Sequence, residues 1–293
     1  MSRNQTHQRG EGVKKRLLMG VGIVLATLVA ALGFLGYKVL HQVRGQYFDA
    51  AGVNIHYTDQ GAGVPVILVH GYSANSDLNW RLPGILSKLQ KHFRVITMDV
   101  RGHGLSGKPH EASKYGIEMV KDVQRLMDHL KIPKAHLVGY SMGGFITLKF
   151  MTLYPERLIS AMPCGAAWMT PSSPLCNLLS EIHTRLMGED SPSSGIQSAL
   201  TSLRRRALGT VLDLEALGCV AERFKELAVT ETELRTIAIP VMAVKGGEEE
   251  LVLGGGDMKT AIPGFQETII PGGRHNTVIF YSGFHAALVD FLR

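Results

Sequence analysis

The stretch His136-Leu137-Val138-Gly139-Tyr140-Ser141-Met142-Gly143-Gly144 decides how this chain is read. The aliphatic run Ala135 to Tyr140 has the character of a buried strand and passes directly into Gly-x-Ser-x-Gly. The segment that follows, Phe145 to Leu153, is helix-forming. Strand, sharp turn and helix in that order make a nucleophile elbow, in which strained backbone angles lift a serine hydroxyl above the end of a sheet. Glycine on both sides of Ser141 fits, because a Cβ at 139 or 143 would press on the neighbouring strand and helix.

Working outward, apolar runs alternate with amphipathic segments. Gln46 to Ala50 and Val53 to Thr58 flank a turn at Ala51-Gly52 and predict a hairpin. Val64 to Val69, Arg94 to Met98, Leu158 to Met162, Val241 to Val244 and Gln266 to Ile270 read as strands. Continuous apolar runs of this kind suit a parallel sheet buried on both faces. Asn79 to Gln90, Ile117 to Leu130 and Ser282 to Leu292 read as helices. The pattern predicts an α/β fold with a mostly parallel sheet and helices on both faces. Between about 165 and 238 the alternation stops. Helical segments at Leu175 to Met187, Gly195 to Arg206, Val211 to Val220 and Ala221 to Leu227 take its place. They read as an inserted helical cap over the sheet's carboxyl edge. Trp168, Met169 and Met187 are candidates for lining a pocket there or for packing a core.

Charge separates the N-terminus from the rest. Of 293 residues, 31 are Lys or Arg and 25 are Asp or Glu, and the whole net charge of +6 resides in the first 45. The remainder is balanced, which leaves no basic face for nucleic acid. Leu17 to Gly36 carries no charged residue, and twenty residues at 1.5 Å each span roughly 30 Å, the thickness of a bilayer's hydrocarbon core. The expected organisation is a cytoplasmic tail (1–16), a transmembrane signal anchor (17–36), a linker (37–46) and a globular domain (47–293). The basic residues before the anchor predict a cytoplasmic N-terminus and a domain on the extracytoplasmic side. Cys164, Cys176 and Cys219 show no metal spacing. They read as buried free thiols, with a Cys176–Cys219 pair as the alternative in an exported domain.

A serine nucleophile needs a base, an acid to orient the base, and donors for the oxyanion. The run Pro271-Gly272-Gly273-Arg274-His275-Asn276 follows the last strand, so His275 can swing over Ser141. The strand Val64 to Val69 ends in His70-Gly71-Tyr72, and the amides of Tyr72 and Met142 are the candidate oxyanion donors. His70 reads as a loop-bracing residue. The acid should follow Val241 to Val244, where Lys245-Gly246-Gly247-Glu248-Glu249-Glu250 offers any of three glutamates.

These pieces resemble the α/β-hydrolase superfamily, in its capped esterase, lipase and haloperoxidase-like branch. The resemblance is carried by His70-Gly71-Tyr72, Asp99-Val100-Arg101-Gly102-His103-Gly104-Leu105-Ser106, Gly139 to Gly144, Ile239-Pro240-Val241 and Gly273-Arg274-His275. It implies that the Asp99 to Ser106 run is a structural loop. It also implies that the acid occupies the position of Glu249, where the family's Gly-x-x-Asp has aspartate. Related epoxide hydrolases and haloalkane dehalogenases need a carboxylate at the elbow, which Ser141 is not. The expectation is a membrane-anchored serine hydrolase that cleaves carboxylic esters, lipid-like ones included, through an acyl-enzyme on Ser141, with neither metal nor cofactor. The alternatives are carbon–carbon bond or perhydrolase/haloperoxidase-like chemistry on the same residues, and a catalytically lapsed fold serving as a binding protein. Sequence leaves the substrate and the oligomeric state open.

Overall fold

A computed structural model describes residues 42–170, 172–187, 206, 209–248 and 257–293. The expected tail and anchor lie outside the described residues, as do Glu249, Glu250 and most of Gly195 to Arg206. Among the described residues no helix is long and apolar enough to cross a membrane. Every described strand and helix lies in one compact unit, Val43–Arg293.

The strands are β1 (Gln46–Asp49), β2 (Asn54–Gln60), β3 (Pro65–Val69), β4 (Arg94–Met98), β5 (Ala135–Tyr140), β6 (Leu158–Cys164), β7 (Met242–Gly246) and β8 (Gln266–Ile270). The first six form one sheet in the order β1-β2-β4-β3-β5-β6, and β7 pairs with β8. A bridge from Ala161 to Val241 and a bond from the Gly165 amide to the Val244 carbonyl (3.2 Å) set β7 against β6. Only the pairings of β2 are antiparallel among those described. Ala51 (φ 56°) and Gly52 (φ 81°) form the two-residue turn between β1 and β2. Positive φ at both central positions matches the right-handed twist of a hairpin.

The helices are α1 (Ile85–Leu89), α2 (Ile117–His129), α3 (Met142–Leu153), α4 (Leu178–Met187), α5 (Leu214–Arg223), α6 (Glu231–Arg235), α7 (Met258–Ala261) and α8 (Ser282–Leu292). Alternate residues of β3 enter two different cores. Val66 and Leu68 pack with Leu86 and Leu89 of α1 and with Phe284 and Leu288 of α8. Ile67 and Val69 belong to the core that holds Val120 and Val123 of α2 and Ile146 and Phe150 of α3. All four strand residues are fully buried, and each such side chain contributes about 1.5–3 kcal/mol of apolar transfer. Covering both faces is therefore what turns an uninterrupted apolar run into a strand.

Three sequence expectations change. Asn79 to Gln90 is not one helix but a π-helical turn (Asp77–Arg81) followed by α1. Pro83 lacks the amide that would continue the first turn, and Gly84 takes φ 85°, which breaks the axis. The segment starting at Val211 becomes helical only at Leu214, where the Asp213 side chain caps the Ala216 amide at 3.0 Å. The sequence reading missed α6, which opens with a Thr230–Glu233 capping box.

Cys164 and Cys176 are buried, Cys219 is half-buried, and no disulfide joins Cys176 to Cys219. Trp168 and Met169 are core residues, and the Trp168 indole donates to the Val229 carbonyl at 3.0 Å.

Candidate active site

Ser141 stands between β5 and α3 at φ 55°, ψ −117°. A non-glycine residue with positive φ stores on the order of 1–3 kcal/mol and persists only where its surroundings enforce it. Here they do. A Cβ on Gly139 would overlap the Gly143 carbonyl, and one on Gly143 would overlap the Val69 carbonyl. A Cβ on Gly144 would come within 2.6 Å of Ala166. Helix α3 therefore approaches β3, β5 and β6 closely enough to force the turn. Because β5 lies between β3 and β6, the hydroxyl emerges near the middle of the strand order.

His275 lies in the turn between β8 and α8, and its Nε2 is 2.9 Å from Ser141 Oγ. The turn is seated from two sides. The Glu248 amide donates to the Gly273 carbonyl at 2.9 Å, so the loop after β7 runs alongside it. The Tyr140 hydroxyl donates to the His275 carbonyl, and the two rings lie 5.5 Å apart. Of the three glutamates, Glu248 is exposed and faces Arg274 at 3.3 Å instead of His275. Glu249 and Glu250 follow it outside the described residues.

The third part is the loop after β3. His70 is fully buried. The Val100 amide donates to its Nε2 at 3.0 Å, so its Nδ1 carries the proton and donates to the Gly71 carbonyl at 2.8 Å. Burial pushes the imidazole pKa down and keeps it neutral, with Asp99 nearby acting in the opposite sense. His70 is thus a brace. Asn79 Oδ1 accepts from the Gly71 amide at 2.8 Å. Ser73, two residues on, is itself strained at φ 55°. This loop passes directly over Ser141: a Cβ on Gly71 would stand 3.2 Å from Ser141 Cβ. Neither the Tyr72 nor the Met142 amide has an acceptor among the described residues. The Tyr72 hydroxyl donates to the Leu217 carbonyl of α5 at 3.0 Å, and burial pushes its pKa up, so it stays a neutral donor. Tyr72, Leu78, Asn79, Ser141, His275 and Phe280 line a cavity of about 210 Å³.

Asp99 is buried and accepts from the Ser76 and Leu105 amides (both 2.9 Å) and from His56 Nδ1 (3.0 Å). Burial disfavours its charge, yet these hydrogen bonds outweigh burial and hold its carboxyl well below the usual range. Asp99 and His103 belong to a loop-forming network, with no contact to Ser141.

The family model for the alpha/beta hydrolase fold matches residues 64–181, a span that holds β3 through β6, the elbow and the loop after β3. Over those residues the chain has the α/β-hydrolase fold. The chain is 35% identical over 125 residues to a 2-hydroxy-6-oxo-2,4-heptadienoate hydrolase of Pseudomonas putida, which covers 42% of this chain and 44% of that relative. It is 31% identical over 121 residues to the bifunctional epoxide hydrolase 2 of Mus musculus, 41% of this chain and 22% of that one. The chain thus spans less than half the length of these curated relatives. An enol-lactonase structure from Burkholderia xenovorans superposes with a TM-score of 0.66 at 22% identity, covering 84% of this chain and 99% of the lactonase.

Sequence reasoning missed two residues of the site. Asn79 reads only as one polar position in a helical stretch, and Tyr140 as the variable position of Gly-x-Ser-x-Gly. Their roles come from tertiary contacts, to Gly71 and to His275, that no local pattern encodes.

Proposed function

We propose that the protein is a serine hydrolase that cleaves carboxylic esters through an acyl-enzyme on Ser141. The observation that carries this reading is the 2.9 Å contact between Ser141 Oγ and His275 Nε2 at a strained elbow. With the serine O–H donating to Nε2, the imidazole proton resides on Nδ1. His275 takes the serine proton as Oγ attacks the carbonyl. The Tyr72 and Met142 amides stabilise the oxyanion. The resulting imidazolium protonates the leaving alcohol, then His275 activates water for deacylation. Glu249 is the proposed acid, with Glu250 next in line, since Glu248 faces Arg274. The helices between β6 and β7 are the proposed cap, tied to the site through Tyr72 and Leu217. The uncharged run at 17–36 supports a membrane anchor that holds the catalytic domain on the extracytoplasmic side.

The test is hydrolysis of a short nitrophenyl ester together with labelling by a fluorophosphonate. Ser141→Ala should lower kcat at least about a thousandfold and abolish labelling. Glu249→Gln should lower kcat far more than Glu248→Gln. Absence of turnover and labelling in the wild type would instead favour a binding protein on a lapsed site. The P. putida relative favours one second reading, carbon–carbon bond hydrolysis on the same serine and histidine. A higher kcat/KM for a 2-hydroxy-6-oxo-dienoate than for the ester would select it.

A further inference from the structure

Four of the six residues from Pro271 to Asn276, the turn that carries His275, face solvent. Pro271, Gly272, Arg274 and Asn276 are exposed, and two of the turn's residues are glycines. Such a segment has many accessible conformations, and only a few place an imidazole against Ser141. The residue that meets this turn from the sheet is Tyr140, which is 4% exposed. Its hydroxyl donates to the main-chain carbonyl of His275 itself. Its ring is clamped on three sides. The His275 ring lies 5.5 Å away at a tilt of 33°, and the Phe284 ring of α8 meets it edge-on at 6.0 Å. Gly165 closes the third side at φ 56°, where a Cβ would come within 3.1 Å of the Tyr140 ring and 3.4 Å of His275 Cε1.

We infer that Tyr140 is a positioning residue, which through its hydroxyl holds the His275 main chain so that Nε2 meets Ser141 Oγ. The inference rests on the proposed Ser141–His275 chemistry. Nucleophile and anchor are consecutive residues. The strained backbone that raises the serine hydroxyl therefore also sets where the phenol stands, and a single dipeptide fixes both partners of the proton transfer. Tyr140 lines the Ser141 cavity, but its hydroxyl is engaged by the His275 carbonyl, so its loss should slow the chemical step more than it weakens ground-state binding.

The experiment compares wild type, Tyr140→Phe, His275→Gln and the double variant. Phenylalanine keeps the ring packing on His275 and Phe284 and removes only the hydroxyl. Two readouts apply, nitrophenyl ester kinetics and the rate of fluorophosphonate labelling. Tyr140→Phe should lower kcat and the labelling rate roughly fivefold to twentyfold, as expected for one hydrogen bond that holds a reacting group. KM and the thermal midpoint should barely move. In the His275→Gln background the same substitution should change the labelling rate less than twofold, because the base it positions is gone. An equal loss in both backgrounds, or a Tyr140→Phe enzyme with wild-type kcat, overturns the assignment. A crystal structure of Tyr140→Phe supplies a readout independent of turnover. His275 Nε2 drawn away from Ser141 Oγ supports the role, and an unchanged 2.9 Å contact overturns it. Failure of the hydrolase reading looks different, with Ser141→Ala retaining full ester turnover.

Discussion

A single hydrogen in place of a methyl group decides the geometry around Ser141. Gly143 faces the Val69 carbonyl, and a Cβ there would also come within 2.8 Å of the His70 carbonyl. Both obstacles are main chain of the strand and loop beneath, which cannot rotate away. Gly143→Ala should therefore cost about 3 kcal/mol, the upper end for forcing atoms into a filled site. Gly209→Ala, where a Cβ would meet nothing within 4 Å, should stay within about 0.5 kcal/mol of wild type. Urea midpoints of the two variants check this. A second residue-scale prediction concerns acid. His103 is buried and donates from Nδ1 to the Arg101 carbonyl at 3.1 Å. Burial first, and then neighbouring His70, pull its pKa down to about 3. The unfolded chain takes up the proton near pH 6.5 and the folded one does so only near 3. Between those values the unfolded state binds more protons, so stability falls as pH drops through that window and levels off below it. The slope from this group approaches about 1.4 kcal/mol per pH unit. Denaturation midpoints from pH 7 to 3 should show this decline, and His103→Phe should flatten it.

Elements hold together here through polar groups as well as apolar ones. Arg101, 1% exposed, reaches from the loop after β4 to Asp122 of α2 with two bonds of 2.6 Å. The same guanidinium donates to the Ala50 carbonyl at 3.2 Å, beside the β1–β2 turn. Without Arg101 the buried Asp122 carboxylate keeps only the longer bond from the partly exposed Arg125 at 3.1 Å among the described residues, so Arg101→Met should cost about 3 kcal/mol. Arg101→Met combined with Asp122→Leu should be more stable than Arg101→Met alone, since no charge then stays buried. Chemical denaturation of both checks the ordering. Legibility at this scale followed periodicity. The strands β3, β4 and β5 and the helices α2 and α8 were readable because burial leaves an apolar run where both faces are covered and an apolar period where one is. Asn79 to Gln90 misled because its apolar spacing is helical across a Pro83-Gly84 break. Local geometry, not spacing, ended the turn there. The four-residue α7 and five-residue α6 are too short to show a period at all.

At the scale of the molecule, Ser141 and His275 were legible because their surroundings follow from topology. One ends a central strand, and the other follows the last strand and precedes the closing helix. The acid was less legible. Three glutamates in a row are equivalent to a pattern, and only a fixed loop distinguishes them. Glu248 illustrates the point, since its amide bonds to Gly273 while its carboxylate turns to Arg274. Tyr140 and Asn79 were illegible for a related reason, because each acts on a partner brought near only by the finished sheet.

Ser141 and His275 are 134 positions apart in the chain. A ribosome that has released the elbow and everything before β8 displays Ser141 without His275. On the proposed mechanism, hydrolysis begins only after the final strand and its turn have docked, which would make turnover a reporter of finished assembly. A pulse of fluorophosphonate during synthesis would mark full-length molecules and spare nascent ones.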